Sequence, residues 1–157
     1  MSIYVSQPKL WKMLDGTPPV IQQVPEAASQ SFIVGDFVYL VGGYATVCAD
    51  DPQLIYGLAL EAAHNTTAGL YKVDVLVITN MTCLCMNVHG VNPLDTVQAA
   101  DWGKGWQIEK VSTNWVVNKD VATSSSVRIY EFIDELATVN GRVAVTVPAA
   151  IRQLELI

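Results

Sequence analysis

The 157-residue chain reads as mainly β, a small β-barrel or sandwich carrying an extended N-terminal arm. Short β-branched and aromatic runs recur at roughly 8 to 12 residue spacing and are broken by Gly, Pro and Asn. No ten-residue amphipathic helix is present to carry crossovers between parallel strands. Asn140-Gly141 stands between two β-rich runs, 127–132 and 142–147, and supplies the positive φ that a type I′ hairpin turn needs.

Residues 1–31 form the arm. Four of the seven prolines lie there, Pro8, Pro18, Pro19 and Pro25, each removing a backbone donor and holding the preceding residue extended. The stretch is nevertheless rich in apolar groups, among them Ile3, Tyr4, Val5, Leu10, Trp11, Met13 and Leu14. A disordered tail is poor in such residues, so the arm has to bury them on its own domain or on a neighbouring subunit. A short helix through residues 9–14 is the one alternative to extended chain.

Residues 32–157 make up the β domain. Gly35-Asp36 opens the strand 37–41, which stops at Gly42-Gly43; residues 44–48 follow as a second strand, ended by Asp50-Asp51-Pro52. The run 54–63 mixes helix formers with a central Gly57, which disfavours helix and makes it a strand. Residues 70–78 alternate and are dense in β-branched side chains, and 83–88 form another strand closed by Gly90. Residues 91–123 read as an irregular, Trp-rich insertion holding Trp102, Trp106 and Trp115, with a strand at 115–118. The end of the chain, 151–157, alternates loosely, as an edge or swapped strand would.

Charge and composition exclude several functions. Charged residues make up 15% of the chain against the ~25% of ordinary soluble domains. Either surface is hidden against a partner or the outside is covered by uncharged polar groups. The net charge is −6, and nine Lys and Arg are scattered without an adjacent pair. Nucleic-acid binding is therefore not expected, because nothing would displace counterions from phosphates. The first residues carry neither a basic nor an apolar signal region, and the apolar runs fall far short of ~18 residues, so no secretion signal and no membrane helix is expected. Synthesis in a reducing cytoplasm follows.

Catalytic and metal chemistry finds little support. Cys83 and Cys85 are two apart, which on a strand points both along one face and disfavours a disulfide. No C-x-x-C or H-x-x-H spacing joins them to Cys48, His64 or His89, so reduced core cysteines are expected and no metal. No G-x-S-x-G occurs, and Gly103-Lys104-Gly105 lacks the rest of a phosphate loop. Were 60–65 helical, Glu61 and His64 would share a face as an acid/base pair. Asp50 and Asp51 read as a solvated turn. No catalytic residue and no cofactor is expected. The tryptophans read as core or interface anchors, or as the lining of a sugar-stacking groove.

Gly35-Asp-Phe-Val-Tyr-Leu40, Leu54-Ile-Tyr-Gly-Leu-Ala-Leu-Glu-Ala62 and Val73-Asp-Val-Leu-Val-Ile78 occur in an order that resembles tailed-phage head decoration (capsid cement) proteins. The stretch 129–147, with Asn140-Gly-Arg-Val-Ala-Val145, is similar to the closing strands of that group. The resemblance covers about half the chain. It implies a small β-barrel, no enzymatic activity, and a place on the outer surface of the virion head. The implied partners are the major capsid protein and further copies of this chain, a trimer above all. The candidate interface residues are Tyr4, Leu10, Trp11, Leu14, Trp102 and Trp106. Another phage structural role, at the head-tail junction or in the tail, and a carbohydrate- or ligand-binding β-domain using the Trp-rich stretch are the alternatives.

Overall fold

The computed structural model describes residues 6–91, 94–120 and 125–153. The chain is mainly β, as its alternation predicts. Eleven strands are described: β1 (Lys9–Met13), β2 (Ile21–Pro25), β3 (Phe37–Val41), β4 (Tyr44–Val47), β5 (Gly57–Ala59), β6 (Lys72–Val77), β7 (Thr82–His89), β8 (Gly105–Val111), β9 (Asn114–Asn118), β10 (Val127–Phe132) and β11 (Arg142–Thr146). A 3-10 turn spans Ala99–Asp101.

The strands form two sheets. The first runs β1-β7-β11-β10-β8-β9, and β9 returns to pair with β7 in parallel through Val88↔Val117 and His89↔Asn118. Five strands thus close into a barrel, with β1 added outside along β7. Closure removes the unpaired edges that would otherwise recruit other chains. The second sheet runs β2-β6-β5-β3-β4. Its two ends approach each other where Glu26 bridges Ala45 and the Ala27 N–H donates to the Ala45 carbonyl at 3.0 Å.

The period-2 alternation of each strand decides which core it feeds. Leu84, Met86 and Val88 of β7 meet Ile108, Val117, Val127, Ile129, Val143 and Val145 inside the barrel. That cluster continues into Phe37, Leu58 and Leu76, which lie on one face of the second sheet. The other face carries its own core of Val24, Val38, Ala45, Ala59, Val73, Val75 and Val77, with Phe32 inserted from the preceding loop. A sheet buried on both faces calls for a nearly continuous apolar run, which is why 73–78 reads as it does.

Two buried charge clusters brace the fold, the first of them joining the two sheets. Asp36, fully buried at the start of β3, accepts from the Trp115 indole N–H at 3.1 Å, the Ile33 N–H at 3.0 Å and the Gln7 amide at 3.2 Å. Lys110 reaches both of its oxygens, at 2.9 and 3.0 Å. Trp115 also stacks edge-on against Phe37, 5.4 Å between ring centres. Near the 3-10 turn, the buried Lys119 ammonium lies 2.7 Å from Asp101 and donates to the Thr96 carbonyl at 2.6 Å.

The described part of the arm is extended and lies on its own domain, one of the two expected outcomes: residues 9–13 pair with β7 and 21–25 with β6. The expected layout changes in three places. The segment 9–14 is a strand and not a helix, because β7 presents an edge to be paired. Residues 91–123 are not an insertion, since they supply β8 and β9, two staves of the barrel. The run 54–63 keeps strand geometry only over three residues.

β10 and β11 do pair antiparallel, as expected, but nine residues separate them, so Asn140-Gly141 is not a two-residue hairpin turn. Asn140 takes the positive φ, +51°, while a Cβ on Gly141 would lie 2.6 Å from the Val97 side chain. Gly57 likewise serves close approach. A Cβ there would stand 2.4 Å from the Leu76 carbonyl oxygen, a backbone atom that cannot step aside. Gly57→Ala is therefore expected to destabilise the fold by about 2 kcal/mol, read from the urea midpoint at constant slope.

Candidate partner interface

The outer face of the first sheet has a floor of small side chains. In register across it lie Lys9, Cys85, Ala144 and Glu131, with Cys83 opposite Lys12. Cys83, Cys85 and Ala144 are buried beneath longer neighbours. The register slips between Leu10 and Lys12 and again between Ile129 and Glu131. Such slips bend a strand and re-aim its side chains. Across the floor the Trp11 indole N–H donates to Glu131 at 3.1 Å and Lys12 pairs with Glu131 at 2.8 Å. The Lys12 ammonium also sits 5.8 Å from the Tyr130 ring centre. Lys12 holds the Glu131 carboxyl below the usual carboxylate range, helped by the Trp11 N–H.

Trp11 and Tyr130 thus flank Lys12 and Glu131 on this face, while Trp102 lies against Phe132, which packs on the barrel core. Trp11 is 42% exposed, Tyr130 45% and Trp102 59%, and Trp102 packs edge-on against Phe132 at 5.1 Å. Leu136, on the loop after β10, is also exposed. Exposed tryptophan and tyrosine are residue types enriched in binding hot spots.

The sequence-predicted interface residues separate on this map. Trp11 and Trp102 are exposed. Leu10 is half-buried against the barrel core and Leu14 is half-buried, its N–H bonded to the Met81 carbonyl at 2.8 Å. Trp106 is buried and faces inward with Trp115, so the three tryptophans of 102–115 do not line one groove. Tyr4 lies outside the described residues. Tyr130 and Lys12 were missed, although the alternation of 127–132 already points Arg128 and Tyr130 away from Val127 and Ile129.

His64 has a partner, but not the expected one. The segment 60–65 is loop, and Glu61 accepts the Asp74 N–H at 2.8 Å. The buried Glu26 instead accepts the His64 and Asn65 N–H groups and lies 2.9 Å from the His64 ring. Tyr71 stacks on that ring at 4.0 Å. Glu26 thereby satisfies two loop amides and orients the imidazole, which holds this loop beside β2.

Asp50 and Asp51 are tied down and not merely solvated: Asp50 accepts the Lys110 N–H at 2.8 Å, and the Asp51 N–H donates to the Ile108 carbonyl at 2.9 Å. Cys48, Cys83 and Cys85 are free and buried. Burial pushes the Cys83 thiol up to about 11 and, with the Asp36 charge nearby, Cys48 up to about 12. Thiols so shifted are poor nucleophiles at neutral pH. Among the described residues no three His, Cys, Asp or Glu side chains converge as metal ligands.

Fold and site together define a small mainly β protein, a closed five-strand barrel with a second sheet packed on it and with Trp11 and Tyr130 exposed beside Lys12 and Glu131 on its outer face. Comparison with family models, curated proteins and solved structures finds no match to this chain.

Proposed function

We propose that this chain is a virion structural protein without enzymatic activity, a decoration or cement protein that binds the outer surface of a phage head as a trimer. Its partner is the major capsid protein, whose neighbouring subunits it clamps. The observation that carries this reading is the exposed set Trp11, Tyr130 and Trp102 on a chain with few charges. Such side chains gain most when a partner covers them. A cement protein that binds the mature lattice and not its immature form stabilises the former by mass action, and several copies seated together raise the effective affinity. A net charge of −6 suits a position outside the shell, away from packaged DNA.

The test is immunogold labelling of purified virions together with light scattering of the isolated protein. Label on the outer head and a trimer mass are the expected outcomes. A strict monomer that never sediments with capsids overturns the reading. Trp11→Ala and Trp102→Ala are each expected to weaken capsid binding by about tenfold, measured by co-sedimentation, with the thermal midpoint little changed.

Trp102, 59% exposed, also supports the carbohydrate-binding reading. Binding on a glycan array, abolished by Trp102→Ala, would favour it over the capsid.

A further inference from the structure

Cations that are scattered along the sequence are gathered by the first sheet. Strands β1, β7, β11 and β10 lie side by side and carry Lys9, Lys12, Arg142 and Arg128, four of the chain's nine Lys and Arg. Of its fifteen Asp and Glu the same strands carry one, Glu131. Register puts all four cations on the outer face. Lys9 pairs with Cys85, Cys85 with Ala144, and Lys12 with Cys83. Arg142 and Thr146, the partner of Arg128, stand two positions either side of Ala144. Residues two apart on a strand share a face, and so do directly opposed residues. Val127 and Ile129, on either side of Arg128, point into the barrel instead.

Two of the four charges are neutralised in place. Lys12 pairs with Glu131 at 2.8 Å, and Arg142 donates to both oxygens of Asp134, just past β10, at 3.0 and 2.8 Å. Lys9 and Arg128 are exposed, and among the described residues neither has a carboxylate within salt-bridge distance. They stand on the two outer strands of this group, about 14 Å apart from the strand spacing alone. Exposed Trp11 shares a strand with Lys9, and exposed Tyr130 shares one with Arg128. The Trp11 indole reaches across the face to Glu131. On a chain of net charge −6, a face with two uncompensated cations differs in sign from its surroundings.

We propose that this face docks an acidic protein surface, whose carboxylates meet Lys9 and Arg128 on either side of Trp11 and Tyr130. This rests on the proposed reading of the outer face as the partner-facing one, under which that surface belongs to the major capsid protein. Nucleic acid fits less well. Glu131 and Asp134 already hold half of the cations, so few phosphates would find a free partner and few counterions would be released. Charges at the rim of an interface act mainly on association rate and on the choice of partner. The acidic remainder of the chain repels the same surface wherever else it approaches, so the face also sets the orientation of docking.

Three single charge reversals test this: Lys9→Glu, Arg128→Glu and, as control, Lys72→Glu, an exposed lysine on β6 of the second sheet. Each alters the net charge equally. Retention on immobilised poly-L-glutamate at low salt is read first. The unaltered chain is expected to be retained, the first two variants to bind about tenfold more weakly, and Lys72→Glu by less than about twofold; the differences fade at about 0.5 M salt. Equal weakening in all three variants, or in none, overturns the proposal. Retention on duplex DNA but not on poly-L-glutamate overturns it too.

Co-sedimentation with capsids then separates this face from the identity of its partner. Capsid binding that ignores Lys9→Glu and Arg128→Glu overturns the acidic docking face and leaves the capsid bound by another surface. A chain held on poly-L-glutamate through both residues, yet never sedimenting with capsids, keeps the docking face and overturns the capsid protein as its partner.

Discussion

Asp36→Asn is expected to cost the fold about 3 kcal/mol, a drop of roughly 10 °C in Tm for a chain of this size. The two side chains have the same shape, so the loss isolates charge and hydrogen bonding. In the native protein one carboxylate oxygen accepts from Trp115, Gln7 and Lys110, and the other from Ile33 and Lys110. An amide offers only one acceptor atom. Whichever way it is turned, its N–H groups meet donors, and at least one buried donor goes unpaired. The site also joins four separate parts of the chain, so local relaxation cannot mend it. Calorimetry of the variant beside Asp50→Asn, whose carboxylate caps one exposed amide, is the direct check; equal losses at the two positions would show that Asp36 is not a structural hub.

Lys119→Met is expected to be as costly, about 3–5 kcal/mol, because it leaves the Asp101 carboxylate buried without its cation. The ion pair itself is a different matter. Bringing two charges out of water offsets most of their attraction, and apolar replacements of both partners are often neutral. The double variant Lys119→Met with Asp101→Asn is therefore expected to recover much of the loss. Asparagine can still accept the Gln98 N–H that Asp101 receives at 2.9 Å, so the 3-10 turn keeps its cap. A urea double-mutant cycle measures this as a coupling of about 2 kcal/mol, whereas simple additivity would mean that the two side chains do not depend on one another.

The same two clusters mark the limit of reading this protein from its sequence. Asp36 looks like a turn residue ahead of a strand, and the indole it holds is 79 positions away. Lys119 and Asp101 stand in a stretch whose Gly, Trp and Asn spacing reads as irregular. Yet the pattern of β8 was present: Trp106 and Ile108 face inward, with Gln107 and Glu109 less buried between them. The glycines at 103 and 105 mask it. β1 carries weaker signals still, since its two lysines and Trp11 fit a short helix as well as a strand; the free edge of β7 decides the matter.

The interface candidates divide in the same way. Trp11, Trp102, Trp106 and Trp115 are one residue type, but two are exposed and two are buried, and local alternation points to the burial of Trp106 alone. The Glu26 carboxylate that orients His64 lies 38 residues upstream, whereas the sequence neighbour Glu61 serves Asp74.

By itself, then, the sequence determined the β class, the strands read at 37–41, 44–48, 70–78, 83–88, 115–118, 127–132 and 142–147, each within two residues of the observed ends, and the antiparallel pairing of the last two. Alternation and turn residues are local properties, encoded in side chains a few positions apart. The tertiary structure alone decided that β7 meets β9 to close a barrel, that β1 joins one sheet and β2 the other, and which aromatics remain outside. Those outcomes depend on the burial and hydrogen bonding of the whole chain at once, where the best partner for a residue is fixed by what every other segment has already covered.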